Sequence, residues 1–279
     1  MITVMSIRDI PPSMAQAVVA KIDARLAAIR HEHGVALPLA IESGSRAWGF
    51  PSPDSDYDCR FIFVRSVEHY LSPWQRRDVI ETPLDGDLDV NGWELGKAIR
   101  LLAKGNAVVI EWLMSPIVYG ADRQFLDEFL SLARRIGDRT LIARHYLHLG
   151  ERCRIALPPE GEAVPCKKIF YALRPAVVLR WLRQRASEAV APMHLPALLA
   201  ECEPPAGLAD IIAGLIARKA VTAERGAEPL PRAVAAFIER EFELAREIFT
   251  KRAAPPAPGL REDAEAFFRA TVRRLSAGP

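Results

Sequence analysis

ESGSRAWGFPSPDSDYDCRFIFV, residues 42–64, decides how this chain is read. Its last eight residues, Tyr57–Val64, are aromatic and branched, as buried strands are. Asp56 and Asp58 stand at the start of that strand, one residue apart. Positions i and i+2 of a strand point to the same side, so the two carboxylates project together. With no obvious cationic partner in the sequence, they would repel each other unless a divalent cation lay between them. Hard oxygen ligands at this density suit Mg2+ or Mn2+. At the other end of the stretch, a short apolar strand over Leu37–Glu42 is broken by Gly44-Ser45. Glycine lets a backbone come close to a phosphate, and Ser45 offers its oxygens a hydroxyl and an amide. A loop of about ten residues is expected between the two strands. Asp-Ser-Asp in a Pro-rich loop is also ordinary turn chemistry, so the signal lies in the combination and not in Asp-x-Asp alone.

Outward from this stretch, Arg77–Thr82 and Gly86–Asn91 are two more strand candidates, joined by the turn residues Pro83–Gly86. Asp87 and Asp89 repeat the i, i+2 arrangement. Asp89, in the apolar-flanked part of its strand, is the favoured third carboxylate, with Asp87 the alternative. Three carboxylates from adjacent strands can hold two metals bridging a nucleoside triphosphate (NTP). Met14, Val18, Ile22, Leu26 and Ile29 predict a helix in the first 36 residues. From Trp93 onward the pattern is helical, over 93–104, 107–114, 122–136, 138–156, 165–187, 206–219, 232–252 and 261–275. This predicts an α+β unit over residues 1–125 followed by an all-helical unit over 126–279.

The chain has 279 residues, half of them apolar, with a net charge of +2. That composition excludes a disordered polymer, a collagen-like chain and a small disulfide scaffold. The near-neutral balance argues against indiscriminate nucleic-acid binding. It conceals net charges of −5 over residues 1–133, +8 over 134–185 and −1 over 186–279. An acidic part followed by a short basic one suggests a metal–carboxylate site beside an anion-binding surface; a solvated basic helix is the plainer alternative. Cys59, Cys153, Cys166 and Cys202 have no zinc-like spacing and read as small buried hydrophobes in a reducing compartment. The first twelve residues do not resemble a signal peptide, and the longest apolar run, Leu208–Ala217, is interrupted by Asp210. A cytoplasmic protein with no membrane partner is expected.

Lys167, Tyr171, Arg174, Val178, Trp181 and Arg185 recur along one helical face, with Lys168 adjacent. Such a face can clamp a triphosphate and stack a base, or it can be a core stripe with cations at its edges. Arg46 is a further candidate phosphate contact, and Trp48 and Phe50 are either base covers or packing anchors. His145 and His148 read as ordinary helix residues.

Gly44-Ser45…Asp56-x-Asp58 resembles the signature of the DNA polymerase β-type nucleotidyltransferases. The stretches 44–64, 77–81, 87–106, 111–119 and 167–181 together resemble one branch, the RNA repair pathway DNA polymerase β family. The resemblance implies a small mixed-sheet polymerase β-like domain followed by helices. It also implies transfer of a nucleoside monophosphate (NMP) from an NTP to an acceptor hydroxyl, with release of pyrophosphate. An RNA end is the expected acceptor. By this resemblance Asp56 and Asp58 bind both metals, and Asp89 binds the catalytic metal and helps deprotonate the acceptor. Gly44, Ser45, Arg46, Lys168, Tyr171 and Arg174 would hold the nucleotide. Cys59 and Gly96 depart from the pattern, the latter weakening its helix by roughly 1 kcal/mol relative to Ala. Two other readings stay open: a small-molecule or protein acceptor, and a non-catalytic nucleotide-binding regulator.

Overall fold

A computed structural model describes residues 7–74, 76–223, 226–250 and 259–276. Strand β1 (Ile7–Asp9) precedes α1 (Gln16–His33), which ends at Gly34. The decisive stretch follows as β2 (Ala36–Glu42), α2 (Gly44–Trp48) and β3 (Tyr57–Val64). Then come α3 (Val67–Leu71), β4 (Val79–Glu81) and β5 (Leu88–Glu94). Helices α4 (Leu95–Ala103) and α5 (Ala107–Leu113) lead into β6 (Val118–Ala121). The remainder is helical apart from one small hairpin, β7 (Ala163–Pro165) with β8 (Ala227–Pro229). Its helices are α6 (Arg123–Ile136), α7 (Arg139–Arg154), α8 (Cys166–Gln184) and α9 (Leu195–Ala200). They continue with α10 (Leu208–Lys219), α11 (Arg232–Phe249) and α12 (Leu260–Ser276).

The main sheet has six strands in the order β1-β6-β2-β3-β5-β4. Only β3 and β5 run parallel, so the sheet is mixed. Alternation along β3 divides its side chains between two apolar clusters. Tyr57, Cys59, Phe61 and Phe63 join the cluster under α1, while Ile62 and Val64 join the one that continues through the helices. Asp58 and Arg60 belong to the second face. The site is therefore held between the sheet and the helices.

The strand predictions for β2, β3, β4 and β5 and the long helices all correspond to observed elements. Departures from the expectation include β7 and β8, which fall in the stretch expected to be all-helical. The stretch after Gly44-Ser45 opens as a turn of helix, α2, and not as loop. Strands β1 and β6 were not anticipated; at three and four residues they are too short to show a period. Helix α12 packs back on α6, α4, α3 and β3.

Many of the cations expected as a basic surface over residues 134–185 are partly buried and engaged by other parts of the chain. Arg180 and Arg183 converge on the buried Glu241 of α11, at 2.7 and 3.0 Å. Arg154 pairs with Glu239, and Arg144 and Arg139 donate to the carbonyls of Phe249 and Leu182. The excess charge of α7 and α8 thus meets the acidic face of α11 and exposed helix ends. All four cysteines are free, and three are buried. Among the described residues no helix is long and apolar enough to cross a membrane.

Candidate active site

Asp58 and Asp89 stand directly opposite each other, because the parallel register of β3 and β5 pairs Tyr57 with Leu88 and Asp58 with Asp89. Asp87 lies before β5 and is exposed; its backbone carbonyl accepts from the Tyr57 amide at 2.7 Å. Asp56 is exposed at the mouth of β3. The register therefore makes Asp89 the neighbour of Asp58.

A cation already lies between these two carboxylates. Arg60, at i+2 from Asp58 and so on the same face, reaches Asp58 Oδ1 at 3.0 Å and Asp89 Oδ2 at 2.7 Å. The Asn91 amide donates to the other oxygen of Asp89. The expectation that the carboxylates lack a cationic partner is thus corrected, and the i+2 spacing was its visible signal. Burial raises the pKa of Asp58; Arg60 opposes this, Asp89 and Asp56 add to it, and Lys167 opposes it.

Gly44 supports Asp58 from the side of β2. Its φ of +62° lies in the left-handed region, and a Cβ built there would fall 2.1 Å from Asp58 Oδ2. Only a residue without a side chain leaves the carboxylate in place. Beneath it, the buried Glu42 accepts the Asp58 amide at 2.8 Å and a hydrogen bond from the Tyr119 hydroxyl. Burial pushes the Glu42 carboxyl up to about 7.

Ser45 and Arg46 shape the loop between β2 and β3. The Ser45 hydroxyl donates to Ser55 at 2.9 Å, and Ser55 in turn meets both the amide and the hydroxyl of Ser52. Lys219, from the end of α10 and almost fully buried, donates to the Ser52 hydroxyl at 3.2 Å. Nothing local in the sequence connects Lys219 to this loop. Arg46 donates to the carbonyls of Ser55 and Asp56 and lies 3.9 Å over the Tyr57 ring.

The residues expected on one face of α8 separate. Lys168 is exposed, and Lys167, not Lys168, is close enough to Asp58 to influence its ionisation. Tyr171 is half-buried, edge-on to Trp48 with ring centroids 5.9 Å apart. Arg174 is 3% exposed and pairs with the buried Glu111 at 2.9 Å, with its guanidinium 4.7 Å over the Trp48 ring. The Tyr146 hydroxyl and the Trp48 indole N–H also donate to Glu111. Arg174, expected by resemblance to hold the nucleotide, here braces the end of α2. Phe50 is a packing anchor, stacked on Phe170 at 4.5 Å.

Of two cavities, one adjoins the site. The larger, about 620 Å³ between α4, α12 and the α6–α7 junction, includes none of the carboxylates above. The smaller, about 280 Å³, is lined by Arg60 and Asn91, which also hold Asp89. Among the described residues no three His, Cys, Asp or Glu side chains are grouped closely enough to hold a metal ion by themselves. Mg2+ characteristically takes one or two carboxylates and completes its shell with water and substrate phosphates. Asp58 and Asp89 fit that donor set: their oxygens are hard, adjacent and mutually repelling, and Gly44 keeps Asp58 Oδ2 uncovered by a Cβ.

A mixed sheet thus carries two registered carboxylates beside a Gly-Ser turn. The chain belongs to the RNA repair pathway DNA polymerase beta family, whose model matches residues 18–269. Membership points to a polymerase beta-like nucleotidyltransferase. The chain is also similar to a Bacillus subtilis (strain 168) protein named Uncharacterized protein YcgL, 37% identical over 219 residues, 78% of this chain and 83% of that protein.

Proposed function

We propose that the protein transfers an NMP from an NTP to the hydroxyl of an RNA end, releasing pyrophosphate. The observation that carries this reading is the register that sets Asp89 opposite Asp58, with Gly44 against the latter. Asp58, Asp89 and the exposed Asp56 are the residues that would hold Mg2+ or Mn2+. The bound metal would supply Lewis-acid stabilisation of phosphate charge and a lowered pKa at the attacking hydroxyl.

The chain's own groups have separable tasks. Gly44 and Ser45 give the triphosphate close backbone approach, with Ser45 oriented by the Ser55–Ser52–Lys219 relay. Lys167 and Lys168, on the first turn of α8, offer positive charge to the same anion. Tyr171 and Arg174 act through Trp48, which they hold in place. Arg60 balances Asp58 and Asp89 when no other cation is present and keeps their carboxylates aimed at one point. In the reaction the acceptor oxygen bonds to the α-phosphorus and the bond to the β-phosphate oxygen breaks. The acceptor proton passes to Asp89 or water, and pyrophosphate leaves.

The test uses purified protein, Mg2+, α-labelled NTPs and a panel of RNA, DNA, protein and small-molecule acceptors. Label is expected on RNA, and Asp58→Ala and Asp56→Ala should each reduce it by at least about 100-fold. Transfer that survives both changes overturns the metal–carboxylate assignment. Label on a small molecule or a protein instead overturns the RNA acceptor, and tight NTP binding with no transfer favours a regulatory role.

A further inference from the structure

The cavity of about 280 Å³ beside the carboxylates is lined by Arg60, Val79, Asn91, Trp93, Val108 and Trp112 among others. We propose that it receives the terminal nucleobase of a single-stranded RNA acceptor. The inference rests on the nucleotidyl-transfer reading above and names where its second substrate is held.

Position is the first argument. On β3 and β5 the side chains facing the helices form successive rows: Asp58 with Asp89, then Arg60 with Asn91, then Ile62 with Trp93. Strand β4 extends these rows, pairing Glu81 with Asn91 and Val79 with Trp93. The cavity occupies the second and third rows, roughly 7 Å along the strands from Asp89. A ribose spans such a gap, so a base seated here brings its own sugar hydroxyl to the carboxylates. Gly44 touches Asp58 from the opposite, β2 side. The two carboxylates therefore lie between the turn suited to a triphosphate and the cavity.

Chemistry is the second argument. Trp93 is half-buried, and the Trp112 ring of α5 lies 4.1 Å from it, tilted by 31°. With Val79 and Val108 these packed rings line an apolar side of the cavity, where the half-buried Trp93 offers a surface on which a base can stack. Polar groups edge the cavity. The Asn91 amide oxygen is buried without a hydrogen-bond partner, a cost that an N–H donor from a bound base would remove. A volume just under the usual range for small-molecule pockets suits a single ring system better than a whole NTP.

The surroundings favour a polymer. Glu81 pairs with Arg77, which continues into Arg76 and Trp74, and Trp74 is 79% exposed. An exposed indole in the segment that leads to β4 offers a ring to the nucleotide preceding a seated terminal base.

The experiment measures binding of a 5′-labelled single-stranded RNA 12-mer by anisotropy in EDTA, where transfer cannot occur. ATP binding with Mg2+ is measured separately. Trp93→Leu removes the ring, and Val108→Phe fills the cavity from α5; circular dichroism checks that both fold. Both variants should weaken RNA binding at least tenfold and leave ATP affinity within twofold. An RNA whose 3′-terminal nucleotide lacks its base should bind wild type as weakly as intact RNA binds Val108→Phe. RNA binding unchanged in both variants overturns the proposal. So does equal binding of the abasic RNA, absence of RNA binding by wild type, or a loss confined to ATP, which would make the cavity an NTP-base site. The two readings fail separately. Terminal-base binding without any transfer sinks the enzyme reading alone; Asp58-dependent transfer with unaltered RNA binding sinks the cavity assignment alone.

Discussion

Glu42 holds the backbone amide of Asp58 with one oxygen and the Tyr119 hydroxyl with the other, wholly out of water. Burial favours its neutral form, raising its pKa from 4.5 to about 7. Because the folded value lies above the unfolded one, the stability Glu42 contributes is full below about pH 4.5. It is lost as pH rises towards about 7, and above that the protein carries a buried charge. Glu42→Gln keeps an acceptor for the Asp58 amide and cannot ionise. Urea unfolding across this range should show wild-type stability falling with pH more steeply than that of Glu42→Gln. Parallel profiles would mean that Glu42 is not titrating there. At the same scale, the carboxylates were legible because i, i+2 spacing in a strand is local geometry. Arg60 was equally legible from its spacing, although the sequence was read as offering no partner. Lys219 was not, since 167 residues separate it from Ser52.

Helix α8 shows how an element's position can be legible while the surroundings of its face are not. Its residues recur at helical spacing, but eleven consecutive positions from Ala172 to Leu182, apart from Arg180, are buried. A helix enclosed on all sides has no single wet stripe. Arg174 is thus committed to Glu111, Trp48 and Met193. Removing one partner of such a pair strands the other charge in the interior. Arg174→Met should cost about 3–5 kcal/mol in denaturant unfolding. Adding Glu111→Gln should recover most of that loss by removing the stranded charge. A single variant within about 1 kcal/mol of wild type would show the pair to be solvated.

Across the whole molecule, Glu241 of α11 joins helices far apart in sequence. It is 3% exposed at its side chain and accepts from both Arg180 and Arg183. Glu241→Ala should lower stability by about 3 kcal/mol, somewhat less where water screens the two partly exposed arginines. A melting temperature unchanged within about 1 °C would remove this pair from the forces joining α8 and α11. The same contacts pair much of the charge of a segment of net +8. Its charges are met by carboxylates that charge arithmetic placed in another segment. By itself the sequence determined the carboxylate-bearing strand, the Gly-Ser turn, the α+β order and the helix positions, because each is written in spacing over a few residues. Tertiary structure alone decided that Asp89 faces Asp58, that Arg174 turns inward and that a cavity opens behind Arg60. Those outcomes depend on strand register and helix packing between residues tens to hundreds of positions apart, which no local pattern encodes.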